Sequence, residues 1–127
     1  MRPRIARSVP QSVRQPRPGD SRAHLAVIRS LPCVVCGGPG GDPHHLLRVH
    51  DGAPKGVGRR NEDKHAVPAC RACHNALHAA GNDEAYLAER GIDGRALAAA
   101  LWACRLKTDI EAAMRRVVFR AKQGRGG

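Results

Sequence analysis

The chain has 127 residues, which allows one domain with a modest hydrophobic core. Its formal charge is +11, and residues 1–22 and 105–127 each contribute +5 of it, so a polyanionic partner is favoured and nucleic acid is the first candidate. The Arg/Pro-rich start has no apolar signal segment, and no apolar run approaches the roughly 20 residues that span a bilayer, so no membrane association is expected.

The first elements follow in chain order. Residues 1–19 combine Arg and Pro with few apolar side chains, which predicts a disordered basic arm. A helix is predicted over 22–31 and stops at Pro32. A CxxCGG knuckle comes next, then a strand over 44–49, a Gly-rich basic loop over 50–64 and a short strand over about 65–68.

Four helices are predicted in the second half of the chain. They cover about 70–80, 84–90, 94–106 and a last segment that begins at a Thr108-x-x-Glu111 capping box. Apolar residues of the last helix recur at i, i+3, i+4 and i+7 from Ile110, which predicts a buried face. Its other face is basic, which fits either simple solvation or a surface for nucleic acid or a partner.

Two CxxC pairs predict one zinc site. Cys33 and Cys36 lie on the knuckle, and Cys70 and Cys73 lie at a helix start, where thiolates are stabilised. Four thiolates form a closed tetrahedral site that serves folding. A mixed site that includes His74 or His78 is the alternative. This spacing favours a metal over disulfides, and therefore a reducing cytoplasm.

The histidines are then left for a second, open metal site. His74 and His78 are one helical turn apart and share a face, whereas Cys73 points about 100° away from His74. His44 and His45 are consecutive on a strand, so one can bind a metal while the other addresses an attacking water. The alternative is packing within a purely structural zinc finger. Two of the remaining three histidines lack motif support and are predicted to be surface residues: His24 and His50.

The segment from His44-His45 through His65 to His74-x3-His78, enclosed by the CxxC pairs, resembles the HNH (ββα-metal) endonuclease motif. Residues 29–106 are similar, more loosely, to the Ref-like HNH nucleases of phages and prophages, which share the CxxCG knuckle, the HHL strand and a Pro-x-Cys helix. The resemblance implies an α+β fold. A small ββα-metal, treble-clef-like unit would occupy residues 20–106, and a basic C-terminal helix and tail would occupy 107–127.

The resemblance also implies roles for single residues. The first histidine of the pair binds the catalytic metal together with the two helical histidines, and the second is the general base: His44, His74 and His78 as ligands, and His45 as base. His65 stands where the family has the Asn that orients the base. Either His65 takes that role, or Asn61 or Asp63 does, or no residue does.

The implied function is a metal-dependent endonuclease that hydrolyses phosphodiester bonds of DNA, double-stranded by preference, in phage recombination or DNA processing. It would use a structural Zn²⁺ and a catalytic Mg²⁺, Mn²⁺, Ni²⁺ or Zn²⁺, in a bacterial or phage-infected cell. Four basic residues are candidate phosphate contacts: Arg48, Arg59, Arg60 and Arg71. The alternatives are a non-catalytic zinc-finger module that binds DNA and an RNA-directed nuclease.

Overall fold

A two-stranded antiparallel sheet lies at the centre of the computed structural model, which describes residues 18–48 and 61–124. Strand β1 (Asp42–His45) pairs with β2 (Ala66–Ala69), with His44 opposite Val67. Helix α2 (Arg71–Ala80) follows β2 directly and packs on both strands. These three elements follow one another in the order β–β–α and contact each other.

The other elements surround this unit. Helix α1 (Arg22–Ser30) precedes it, and α3 (Asp83–Ala88), α4 (Gly94–Ala103) and α5 (Ile110–Gly124) follow it. The mixed α+β class predicted from the sequence is confirmed. The arm up to residue 17 and most of the predicted basic loop, with His50, Arg59 and Arg60, lie outside the described residues.

Both predicted strands form, but β1 starts and ends earlier than the predicted 44–49, and β2 lies one residue later than about 65–68. Strand β1 ends at His45 because the chain then turns out of the sheet: Leu46 N–H still bonds to the His65 carbonyl at 3.0 Å, but Leu47 N–H donates to the Asp83 carboxylate at 2.9 Å. Strand β2 begins at Ala66, one residue late, because residues 63–65 form a 3₁₀ turn.

Side-chain caps fix the helix boundaries. Ser21 caps α1, Asn82 caps α3 and Asp93 caps α4, each by accepting a hydrogen bond from a backbone N–H three residues on. Helix α4 ends before the predicted residue 106, because residues 104–106 tighten into a 3₁₀ turn. Gly81 ends α2 with φ +77°, a conformation that glycine adopts without steric strain.

The predicted capping box at the start of α5 was also wrong. The helix begins at Ile110, and the Asp109 carboxylate accepts the Ala112 N–H at 3.2 Å, so Asp109 takes the place predicted for Thr108. The predicted apolar face of this helix is confirmed, because Met114 and Val118 are fully buried.

One hydrophobic core joins all these elements. Ile28 of α1, Leu77 of α2, Leu101 of α4 and Met114 of α5 belong to it and are fully buried. His24 is buried too, with 3% of its surface exposed, so its prediction as a surface residue was wrong. Across residues 18–48 and 61–124, no helix combines the length and apolar character needed to cross a bilayer.

Candidate metal centres and catalytic site

The four cysteines of the two CxxC pairs come together as predicted. The sulfur atoms of Cys33, Cys36, Cys70 and Cys73 all lie within 4.8 Å of one another, and Cys36 Sγ is 3.9 Å from Cys70 Sγ. This cluster can bind a metal such as zinc. Among the described residues no histidine belongs to the cluster, so the arrangement favours the four-cysteine site over the mixed alternative.

Backbone amides point at the sulfur atoms. Gly38 N–H donates to Cys36 Sγ at 3.4 Å, and Cys73 N–H donates to Cys70 Sγ at 3.4 Å, so the cysteine side chain itself caps α2. Burial tends to raise the pKa of Cys33, but hydrogen bonds led by the Cys36 amide outweigh it and lower this pKa to about 7. Burial and the neighbouring thiols raise the pKa of Cys73. Ionisation of Cys73 beside Cys33 is therefore unfavourable unless a positive charge compensates it, which metal binding provides.

Three histidines form a second cluster. His44 of β1 and His74 and His78 of α2 each offer a ring nitrogen, and these atoms lie within 4.8 Å of one another. The Nε2 atoms of His74 and His78 are 3.1 Å apart. Two imidazole nitrogens bound to one tetrahedral zinc lie on the order of 3.4 Å apart, so this spacing fits a shared metal ion.

Carboxylates behind two of these rings determine which nitrogen faces the cluster. His44 Nε2 donates to Asp83 at 2.8 Å, and His74 Nδ1 donates to Asp42 at 3.0 Å. The lone pairs therefore remain on His44 Nδ1 and His74 Nε2. His44 Nδ1 is buried and has no hydrogen-bond partner within the described chain. A buried, unpartnered acceptor is unfavourable unless something occupies it, and a divalent cation is the occupant that three imidazoles fit best.

Local electrostatics keep these groups in the right protonation states. The hydrogen bond from His74 lowers the pKa of Asp42, with Arg71 contributing. Burial opposes a similar shift at Asp83, but hydrogen bonds from His44 and the Leu47 amide outweigh it and lower the pKa. Burial, reinforced by His44 and His74, lowers the pKa of His78. The two carboxylates are thus ionised at neutral pH and His78 is neutral, as a metal ligand must be.

His45 points to a different environment from its neighbour His44. Its Nε2 donates to Asp63 Oδ1 at 2.9 Å, and 11% of its side chain is exposed. Asp63 is held in turn by the start of α1: Ser21 N–H donates to Asp63 Oδ2 at 2.9 Å, and Asp63 N–H donates to Asp20 at 3.1 Å. Because an ionised carboxylate only accepts, neutral His45 carries its basic lone pair on Nδ1.

The three candidates for the orienting role make three different contacts. Asp63 bonds to the His45 ring, the Asn61 side-chain amide donates to the Leu46 carbonyl, and the His65 backbone carbonyl accepts the Leu46 N–H. Of these three bonds, the one made by Asp63 is the bond that reaches the His45 ring. A catalytic role for the His65 side chain stays a prediction.

Two of the four candidate phosphate contacts lie in the described residues. Arg71 is exposed and pairs with Asp42 at 3.2 Å, beside His74. Arg48 borders a groove of about 700 Å³ that α3 and α4 line with Asn82, Glu84 and Arg95. Arg59 and Arg60 lie outside the described residues, so their part in the site stays a prediction.

Sequence reasoning missed two carboxylates of the site. Asp42 lies two residues before His44 on β1, so strand periodicity gave a weak signal that both side chains share a face. Asp83 lies 39 residues from His44 and reads only as the first residue of a helix. Nothing in the local pattern pointed to its contact with His44.

Comparisons with known proteins match a family without giving a function. The model of the DUF968 family, described as a protein of unknown function, matches residues 9–101. The uncharacterized protein YdfU of Escherichia coli (strain K12) is 41% identical over 51 residues, which cover 40% of this chain and 14% of that protein. The chain thus spans about a seventh of this relative's length. No solved structure matches the chain significantly.

Proposed function

We propose that this chain, which belongs to the DUF968 family of proteins of unknown function, is an HNH-type, ββα-metal endonuclease. It would hydrolyse phosphodiester bonds of DNA. The cysteine cluster would hold a structural zinc, and the histidine cluster would hold the catalytic divalent metal.

One observation carries the proposal. Three imidazoles converge on one point, two of them backed by carboxylates, and the remaining lone pair on His44 Nδ1 is buried without a partner. Carboxylate–histidine pairs of this kind orient and polarise metal ligands. A purely structural zinc finger already has its metal site in the four thiols and needs no second one. Because His78 is exposed, the cluster opens to solvent, where a phosphate can reach it.

The divalent cation, when bound, supplies positive charge for the transition state and for the departing oxygen. His44, His74 and His78 would hold it. His45 would take the proton of the attacking water at Nδ1, and Asp63 would stabilise the imidazolium that forms. The products by family resemblance are 5′-phosphate and 3′-hydroxyl ends.

Basic side chains near the clusters support a nucleic-acid substrate. Arg71 lies beside His74 through their shared partner Asp42, and its guanidinium keeps donors available for a phosphate. The +11 formal charge of the chain adds a general attraction for polyanions.

The test is a plasmid-nicking assay with Mg²⁺, Mn²⁺, Ni²⁺ or Zn²⁺, together with metal analysis of each variant. His45→Ala should slow cleavage by about 10²–10⁴-fold and leave both metals in place, because His45 is not a ligand. His74→Ala should lose the second metal and activity while the cysteine-bound zinc stays. Asp63→Asn should also slow cleavage, because it removes the charge that stabilises the His45 imidazolium. Asp109→Asn, which removes a carboxylate at a distant helix cap, is its matched control.

Two outcomes would contradict the proposal in different ways. If the wild-type chain binds DNA but cuts none with any of the four metals, the chain is the non-catalytic zinc-finger module instead. A wild-type chain that cuts while His45→Ala cuts equally fast has another general base, and His65 is then the next residue to replace.

A further inference from the structure

Helix α5 presents two very different faces. Its inner face contributes Met114 and Val118 to the core, both fully buried. Its outer side carries Phe119, with 60% of its surface exposed, and Arg116 and Arg120, which are exposed as well. Spacings of three and four residues place these side chains on one side of the helix. A large aromatic side chain is thus exposed to water beside two cations.

The two arginines on this side pair with no carboxylate of the described chain, unlike their neighbour. Arg115 pairs with Glu111 at 2.8 Å and donates to the Ser30 carbonyl at 3.1 Å. Arg116 and Arg120 form no ion pair with any residue in the described part of the chain. Glu111 is the one acidic residue of α5, so no carboxylate follows it on the helix.

Helix α5 also reaches the cysteine knuckle through Lys122, which lies on a different side of the helix from Arg120. A Cβ built on Gly37 would lie 2.5 Å from Lys122 Nζ, so this ammonium group rests directly on the knuckle backbone. Gly37 follows Cys36, a member of the four-thiol cluster. Helix α5 is therefore held against the unit that carries the two candidate metal sites.

We propose that Arg116, Phe119 and Arg120, called here the α5 surface, form a DNA contact that holds the duplex outside the cleavage site. The inference rests on the proposed function, since the polyanion is its substrate. Charge complementarity favours DNA as the occupant: guanidinium groups bind phosphates, and an exposed aromatic ring beside them packs on a sugar or base. Binding of an apolar partner is disfavoured, because it would remove two unpaired cations from water.

The experiment measures binding of a 30-base-pair duplex by fluorescence anisotropy in the His45→Ala background, across a salt series. Arg116→Gln/Arg120→Gln should make the negative slope of log K against log salt less steep by about 2, because each phosphate contact releases about 0.9 counterions. Phe119→Ala should weaken binding roughly tenfold and leave the slope unchanged, because stacking is uncharged. In the cleavage-competent chain, the same changes should raise the half-saturating DNA concentration and leave the rate at saturation unaltered.

Two matched controls isolate the surface. Arg90→Gln/Arg105→Gln removes the same charge from arginines that lie over Tyr86 and Trp102 instead. Leu106→Ala removes another exposed apolar side chain, 80% exposed, just before α5. Circular dichroism melts confirm that each variant is folded.

The inference is overturned if the α5 arginine pair changes the salt slope no more than the control pair does. It is overturned, too, if only binding to anionic lipid vesicles depends on the α5 surface, which would assign it to a membrane. A wild-type chain that binds and cuts DNA while all α5 variants behave like it refutes this inference and leaves the proposed function standing. A wild-type chain that binds no DNA refutes both.

Discussion

The buried imidazole of His24 should make folding stability depend on pH. Its ring packs edge-on against Trp102, with the ring centroids 4.9 Å apart, and neither ring nitrogen has a hydrogen-bond partner within the described chain. Burial lowers the pKa of His24 to about 4; Asp63 opposes this shift, and Arg105 and His45 add to it. The ring is therefore neutral in the folded chain at pH values where the unfolded chain would protonate it.

The sign and size follow from linkage. Because the unfolded state binds more protons, the stability that neutral His24 contributes is complete above pH 6.5 and is lost as the pH falls from 6.5 towards 4. With an unfolded pKa of 6.5 and a folded pKa of about 4, the free energy of unfolding should fall by about 2 kcal/mol between pH 7 and pH 5 through this group alone. His24→Leu removes the titration and keeps an apolar side chain against Trp102.

The assay is urea unfolding of wild type and His24→Leu at pH 7, 6 and 5 with zinc in excess, followed by circular dichroism. Protonation of metal ligands affects both proteins equally, so the difference between them isolates His24. Wild type should lose about 2 kcal/mol more than His24→Leu on going from pH 7 to pH 5. Parallel losses, or an NMR titration of the His24 ring with a midpoint near 6.5, would refute the reasoning.

Three further predictions follow from other features. Cys36→Ser, or chelation of the wild type, should unfold the chain, as measured by circular dichroism and zinc analysis. The reason is that binding of a structural zinc contributes about 10–16 kcal/mol, as much as a small domain's whole stability. A folded, zinc-free chain would contradict this. Gly40→Ala should destabilise by about 3 kcal/mol or more in urea unfolding, since its Cβ would meet the Leu31 carbonyl oxygen at 2.2 Å. Gly81→Ala meets nothing within 4 Å but keeps φ +77°, so about 1 kcal/mol is expected and the order of the two variants is the check. Asp83→Asn should weaken Ni²⁺ or Zn²⁺ binding at the histidine cluster by about 10–100-fold in titration calorimetry, with the thiol-bound zinc unchanged.

Features that depend on local spacing were predictable from the sequence. Two CxxC pairs in one small chain are typical of a single zinc site, and the i, i+4 spacing of His74 and His78 places both on one helix face. The starts of the helices that follow Asn82 and Asp93 were predictable for the same reason, because a cap acts within three residues. The clusters of thiols and imidazoles therefore formed as predicted.

Features that depend on distant contacts were not. The end of β1 is set by the Leu47–Asp83 bond, which joins parts of the chain 36 residues apart, and no local pattern contains it. The same holds for the carboxylate behind His44. His24 was a missed local signal: it lies four residues before Ile28, so the buried face of α1 already included its position.

Helix α2 carries members of both clusters in three successive turns: Cys70 as its cap, Cys73 and His74 next, and His78 last. If both proposed ions bind, this shared helix couples them thermodynamically. An ion on the thiols orders the first turn of α2 and so lessens the entropy lost when the histidines close on a second ion. By reciprocity, the second ion tightens the first by the same factor. With Mg²⁺, Mn²⁺ or Ni²⁺ at the histidines, loss of zinc from the thiols would then also weaken metal binding at a site that holds no zinc.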